Sequence, residues 1–273
     1  MEERSSSTIA NLGSITEHIA TEYRGTRLSD LALVNIDLID RNLYERTCDV
    51  RWWATDGSLV DALANETPAA CEFAGRRLGV ILDSYTVYFD LVLCDMQGNV
   101  VANGRPRQYN TKGSNHKDAD WFVAAVNTRS GSEFGFQSVH RSPLVNNQLS
   151  LVYSCSVREG GDVNGAMIGV LGVVFNGPSL SQEICDGVPL SHDEKANTRV
   201  CIVNDSGLVL ADSRDEVLSH TIELKNRSQL FSNAKGFVVA AVGGVDCFVA
   251  HAHSPGYETY ETGWHALIIQ PTA

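Results

Sequence analysis

The 273-residue chain has no apolar run long enough to cross a bilayer. A spanning helix needs about 20 predominantly apolar residues, and the longest run here, Met167 to Phe175, suits a buried strand. The first residues, Met1-Glu2-Glu3-Arg4-Ser5-Ser6-Ser7, have no charged-then-apolar leader pattern. Clustered Lys and Arg are also missing. Net charge is −12 and Arg76-Arg77 is the one adjacent basic pair, which argues against nucleic acid as a partner. The seven cysteines include no Cys-x-x-Cys pair, so zinc-ribbon and thioredoxin-type readings lose support, and an odd, unpatterned set is no disulfide framework. Most of them sit in apolar, strand-like runs as small buried hydrophobes. There is no Gly-x-Ser-x-Gly, P-loop, Gly-x-Gly-x-x-Gly or His-Glu-x-x-His. The expectation is a binding module and not an enzyme, with no cofactor.

Proline is absent before Pro68, and that absence permits a long helix. Apolar residues recur at Ile9, Leu12, Ile15 and Ile19, then at Leu28, Leu31, Ile36, Ile39 and Leu43. These three- and four-residue steps keep one face apolar and predict a helix over about 8–56. At 1.5 Å per residue it would reach ~70 Å. One small domain cannot bury such a stripe, so it reads as a stalk or a dimer seam. Thr67 and Pro68 make an N-cap and first helical position for a second helix, ending near Asp83. Its inward residues are expected to be Ala70, Phe73, Ala74, Leu78, Ile81 and Leu82.

From Tyr85 onward short apolar runs alternate with Gly, Asn and Asp, a strand-and-turn texture. Strands are expected at Phe89–Cys94, Val100–Asn103, Gly135–Val139, Leu149–Val157 and Ile168–Asn176, with a short helix at Asp120–Asn127. The pattern then repeats. Phe89 to Asn103 and Thr198 to Asp212 are each an apolar strand, a polar turn closed by Gly98 or Gly207, and a second strand ending Ala-Asn or Ala-Asp. Each half also closes on a Gly-led apolar strand, at Gly169–Phe175 and Gly263–Ile269. A duplicated unit follows from this echo, with the Lys112–Asn127 stretch expected to have no counterpart in the second copy. Residues 177–184 read as a linking helix, and 189–197 as a polar connector.

Asp118 and Asp120 flank Ala119 without the spacing of a calcium loop, and capping of the Trp121 helix is the better reading. Trp121 and Phe122 offer an apolar wall for a ligand or plain core packing. Tyr153 alternates with Val152 and Ser154 on a strand and could point toward a ligand or into core. Asn176, ending an apolar strand, needs a partner. The eight histidines are not expected to cluster. His251 and His253 share a strand face but make an incomplete metal site, so no metal is expected.

Five pieces in order carry a family resemblance. They are Asp40-Arg41-Asn42-Leu43-Tyr44-Glu45-Arg46, the Leu93–Ala102 hairpin, Asp120-Trp121-Phe122, the Ile168–Val174 strand and Gly263-Trp264. Together they resemble the double Cache family, the sensor part of bacterial methyl-accepting chemotaxis receptors, sensor histidine kinases and cyclic-dinucleotide enzymes. The resemblance implies an α+β chain in which a long N-terminal helix precedes two tandem PAS-like domains with antiparallel sheets. It assigns residues 1–66 to the stalk, 67–183 to a distal ligand-binding domain and 184–273 to a proximal one. It implies small-molecule sensing outside the cytoplasm by a membrane receptor whose output domain is absent from this chain, with homodimerisation through the helix. A soluble cytoplasmic metabolite-binding protein remains the alternative, and so does a structural module whose pocket is filled by its own side chains. The resemblance places the ligand under Trp121-Phe122; the residues themselves suggest Tyr109, Asp118, Asp120, Tyr153 and Asn176 as further contacts. Amino-acid-binding members carry an Arg where this chain has Ala119, and an Asp where it has Val174, two residues before Asn176. The expected ligand is therefore neutral or cationic, unless Arg105, Arg107 or Lys117 supplies a new cation.

Overall fold

The computed structural model describes residues 2–214 and 216–273; of residues 2–11 only the helical backbone is described, so Ile9 of the apolar stripe lies outside the described side chains. Helix α1 runs from Glu2 to Trp53 as one element. The expected stripe divides along it. Leu28, Ala32, Ile36, Ile39, Leu43 and Val50 are buried, whereas Leu12, Ile15, Ile19 and Tyr23 are all more than half exposed.

The chain forms two compact units, one of residues 43–180 and one of residues 1–42 with 181–273, so α1 contributes to both. In the first, α2 (Gly57–Asn65) and α3 (Pro68–Ser84) precede β1 (Tyr88–Asp95), β2 (Val100–Asn103), α4 (Asp120–Val126), β3 (Gly135–Ser142), β4 (Gln148–Arg158) and β5 (Met167–Phe175). Helix α2 was not expected as a separate element. Asp56 starts it by accepting from Ser58 N at 2.8 Å, a cap within a stripe whose apolar spacing simply continues. Helix α3 follows its expected signals, since Thr67 Oγ1 accepts from Ala70 N and Pro68 opens it. Ala74, Leu78 and Leu82 turn inward as expected, but Phe73 is 49% exposed and belongs to the solvent side.

All five strands of this unit form one antiparallel sheet in the order β2-β1-β5-β4-β3. The second unit repeats it. Helices α5 (Gly177–Asp186) and α6 (His192–Asn197) lead into β6 (Arg199–Val203), β7 (Val209–Asp212), α7 (Arg227–Phe231), β8 (Lys235–Val242), β9 (Val245–His253) and β10 (His265–Pro271). Its sheet order, β7-β6-β10-β9-β8, is the same path through space. The 189–197 connector contains a helix because Ser191 and Glu194 form a reciprocal capping box.

The hairpin echo holds in detail. Gly98 and Gly207 take φ of +83° and +82°, which glycine adopts without steric cost. Cys94 faces both Val100 and Val170, and Val203 likewise faces both Val209 and His265. This shared register allows position-by-position comparison of the two sheets. It also corrects one expectation. The segment joining the second and third strands is residues 104–134 in one unit and 213–234 in the other, and both carry a helix and an isolated bridge back to the hairpin turn, Asn99 with Asn115 and Leu208 with Thr221. The first is longer, but the second has a counterpart.

Candidate functional site

One face of the β1–β5 sheet is covered by the long 104–134 segment. On β4 alternation sends Val152, Ser154 and Ser156 to that face and Tyr153 and Cys155 to the other. Ser154 Oγ donates to the Trp121 carbonyl at 2.6 Å, and Val152 packs in the same cluster as Trp121. Gly172, beneath the indole, is what lets it seat, since a Cβ there would come within 2.9 Å of Trp121 Cζ3. Tyr109, Trp121 and Phe122 converge here on Val92, Val170 and Val174, each at most 2% exposed. Trp121 and Phe122 meet edge to face at 5.8 Å, and the His116 ring lies 6.0 Å from Trp121. Burial pushes the His116 imidazole below its ordinary range, so it is neutral at pH 7.

The segment is anchored at its start. Asp90, with no exposed surface, accepts from Asn103 Nδ2 at 2.7 Å, Gly104 N at 3.1 Å and Arg105 N at 3.0 Å. The Arg105 guanidinium is taken up by the carbonyls of Leu82, Tyr88 and Phe89, which makes it a clamp on the chain.

The site residues expected from sequence thus separate. Tyr109, Trp121 and Phe122 come together. Asp118 and Asp120 lie exposed at the start of α4. Neither caps that helix, because the N-cap is Ala119, which has no side-chain hydrogen bond to give, and Asp120 falls in the first turn. Tyr153 lies on the opposite face from Trp121, packed against Phe134 and Phe136, and takes no part in the wall. Asn176 follows the end of β5, half-buried, with its backbone N donating to the Val87 carbonyl. Sequence reasoning missed Ser150 and Thr111, whose hydroxyls are buried without a protein partner. Ser150 shares the Val152 face of β4. Nothing in a lone serine on a strand signals that position.

An opening lies beside this segment. A cavity of about 710 Å³ is bounded by α3, β2 and the start of the covering segment, with Glu72, Arg76, Asn103, Arg107 and Lys112 on its walls. Arg76 is paired with Glu72 at 3.0 Å.

Two antiparallel sheets of one order, each with a helix-bearing segment between its second and third strands, settle the architecture. The fold is that of tandem PAS-like domains. No family model matches the chain, and no curated protein matches it by sequence. Solved structures are. The sensor domain of the histidine kinase DctB from V. cholerae aligns over 96% of this chain and 98% of its own, with TM-score 0.59 and 15% identity. The ligand-binding domain of the Pseudomonas aeruginosa PAO1 amino acid chemoreceptor PctC, solved with GABA, aligns over 90% and 98%, with TM-score 0.64 and 17% identity. That of PctB from the same organism, solved with L-Arg, aligns over 91% and 95%, with TM-score 0.61 and 15% identity. These neighbours are sensor and ligand-binding domains, and identities this low establish the shared fold. Among the described residues, no helix is long and apolar enough to cross a membrane.

The histidines correct the sequence reading. His251 and His253 of β9 are joined by His265 of β10, which pairs with His253 across the strands. The three rings cluster in the second unit, on the face covered by residues 213–234.

Proposed function

We propose that the chain is the small-molecule-sensing part of a bacterial signalling receptor, acting outside the cytoplasm and paired with a second copy through α1. The ligand binds in the unit of residues 43–180, between the sheet and the covering segment, with Tyr109, Trp121 and Phe122 as its wall. Asp118, Asp120 and Asn176 stand at the rim. One observation carries this reading: the three aromatic residues converge on the same sheet face as Ser150, whose buried hydroxyl has no protein partner. A buried polar group is normally satisfied, and a polar ligand atom would satisfy this one. Occupancy shifts the balance between arrangements of the covering segment, and α1 carries that shift toward an output domain.

A thermal-shift screen of the purified chain across carboxylates, amines, amino acids and purines tests the reading. Trp121 is fully buried, so Trp121→Ala would cost about 3–5 kcal/mol of stability on its own. Trp121→Phe and Ser150→Ala are the better probes. Either should weaken a confirmed hit by about tenfold or more while the variant remains folded, and Arg107→Ala should leave it unchanged. The reverse pattern supports a second reading, in which an anion occupies the basic cavity. The placement of Arg76, Arg107 and Lys112 around about 710 Å³ favours that one.

A further inference from the structure

We infer that the second unit holds a binding site for one divalent transition-metal ion of the zinc class, with Asp205, His253 and His265 as its ligands. The three side chains each present a ligand atom, and these atoms lie within 4.8 Å of one another. Ligand atoms around a tetrahedral zinc with bonds of ~2.0–2.1 Å stand about 3.3 Å apart, so small rotamer adjustments close the site. His265 Nε2 already points at Asp205 Oδ1, 2.9 Å away. The ion takes the place of the proton between those two atoms, and His253 completes a face of two imidazoles and a carboxylate. Nitrogen and carboxylate donors of this kind suit zinc, nickel, cobalt or copper ahead of magnesium or calcium. Three protein ligands leave a coordination position open for water or another small ligand.

The surroundings fit a metal ligand set more closely than a chance cluster. Metal-bound histidines generally have the other ring nitrogen held by a hydrogen bond, which fixes the tautomer. Here His251 Nε2 lies 2.8 Å from His265 Nδ1. Phe231 stacks on His265 at 3.9 Å and on His251 at 4.9 Å, an apolar cover over two of the rings. Asp205 is 88% exposed and gives an ion access from solvent.

The duplicated fold supplies a control. The registers that equate Val203 with Cys94 place His265 where the other sheet has Val170, and His253 where it has Ser156. His251 corresponds to Ser154, and Asp205, two residues before Gly207, corresponds to Met96 before Gly98. The same fold thus forms with no histidine at any of these positions, so the cluster is not something the scaffold requires.

The test uses tag-free protein, stripped with a chelator and titrated with Zn²⁺ against a chromogenic competitor, with Co²⁺ absorption as a second readout. The expected result is one equivalent bound per chain, with visible Co²⁺ bands of low symmetry. His253→Ala, His265→Ala and Asp205→Asn should each weaken binding by at least roughly 10–100-fold, the loss seen even for outer-shell partners. Asp205 is exposed, so Asp205→Asn leaves the fold intact and keeps the test meaningful if a histidine variant unfolds. Equal Zn²⁺ affinity in wild type and the Asp205→Asn/His253→Ala double variant would overturn the site and assign any binding to surface histidines. Absence of a stoichiometric equivalent in the wild type would overturn it as well.

Discussion

Asp40 sits in α1 with no exposed surface, and four donors converge on its carboxylate: Ser254 Oγ at 2.6 Å, Gly256 N at 2.8 Å, Thr262 Oγ1 at 2.8 Å and Thr262 N at 3.2 Å. These hold the loop between β9 and β10. The physical content of the Asp40–Arg46 motif lies partly here and partly in Arg46, whose guanidinium stands 5.3 Å from the Tyr88 ring and 5.5 Å from that of Phe175. Removing a buried acceptor strands its four donors, so Asp40→Ala should cost about 3 kcal/mol or more, read as a shift in the urea midpoint. A loss under 1 kcal/mol would mean that water replaces the carboxylate. Arg27 holds Glu194 well below its ordinary 4.5, at about 2, with a further contribution from the Ser191 backbone N–H. A depressed carboxylate adds stability that is present above pH 4.5 and lost as pH falls from there toward 2. With both side chains about one-third exposed, solvent screening reduces that contribution to roughly 1 kcal/mol. Glu194→Gln keeps the capping box, so wild type should exceed it at pH 6 and the two should converge near pH 2 in urea titrations. Parallel curves would show the pair to be energetically silent.

Helix α1 is the element whose sequence pattern carries two messages. Its buried half, Leu28 to Val50, is anchored against two units, but Leu12, Ile15, Ile19 and Tyr23 recur at steps of three and four residues with nothing over them. An exposed apolar stripe of this spacing has the pattern of a coiled-coil seam, which is why the proposed pairing is assigned to it. Ile15→Asp/Ile19→Asp should turn the proposed dimer into a monomer by multi-angle light scattering, with helix content and melting temperature little changed. A variant that dimerises as well as the wild type would move the interface elsewhere. The strands and hairpins were legible because Gly98 and Gly207 punctuate a strict apolar rhythm, and α3 because Thr67 and Pro68 mark its start. The break at Asp56 was not, since apolar spacing runs on into Leu59 and Leu63. Helix α6 carried a readable Ser191–Glu194 box inside a stretch whose polarity resembled a plain connector.

At the scale of the whole molecule, what escaped sequence reading is what depends on distant residues meeting. Trp121, Phe122 and the sheet they cover could be anticipated, because the helix and strands that carry them are local. The side of β4 that Tyr153 faces is set by the strand register, and the Asp205, His253 and His265 group draws on a turn and two strands far apart in sequence. The same separation predicts how the protein unfolds. One apolar cluster, around Val152 and Trp121, lies wholly in residues 43–180, and another, around Val249 and Leu267, wholly in residues 181–273. Chains with more than one core need not unfold in a single step. Val152→Ala and Leu267→Ala each open a cavity in one core, at a cost of about 1–5 kcal/mol. In scanning calorimetry each should lower one component of the transition and leave the other in place. A small molecule bound at a hundredfold excess over its Kd adds about 2.7 kcal/mol to the form that binds it. A sensor ligand should therefore raise the component sensitive to Val152→Ala, and Zn²⁺ the one sensitive to Leu267→Ala. If both substitutions lower a single undivided transition equally, the two units unfold as one. If a sensor ligand raises the Leu267-sensitive component alone, the ligand site belongs to the second unit and the Trp121 wall is core.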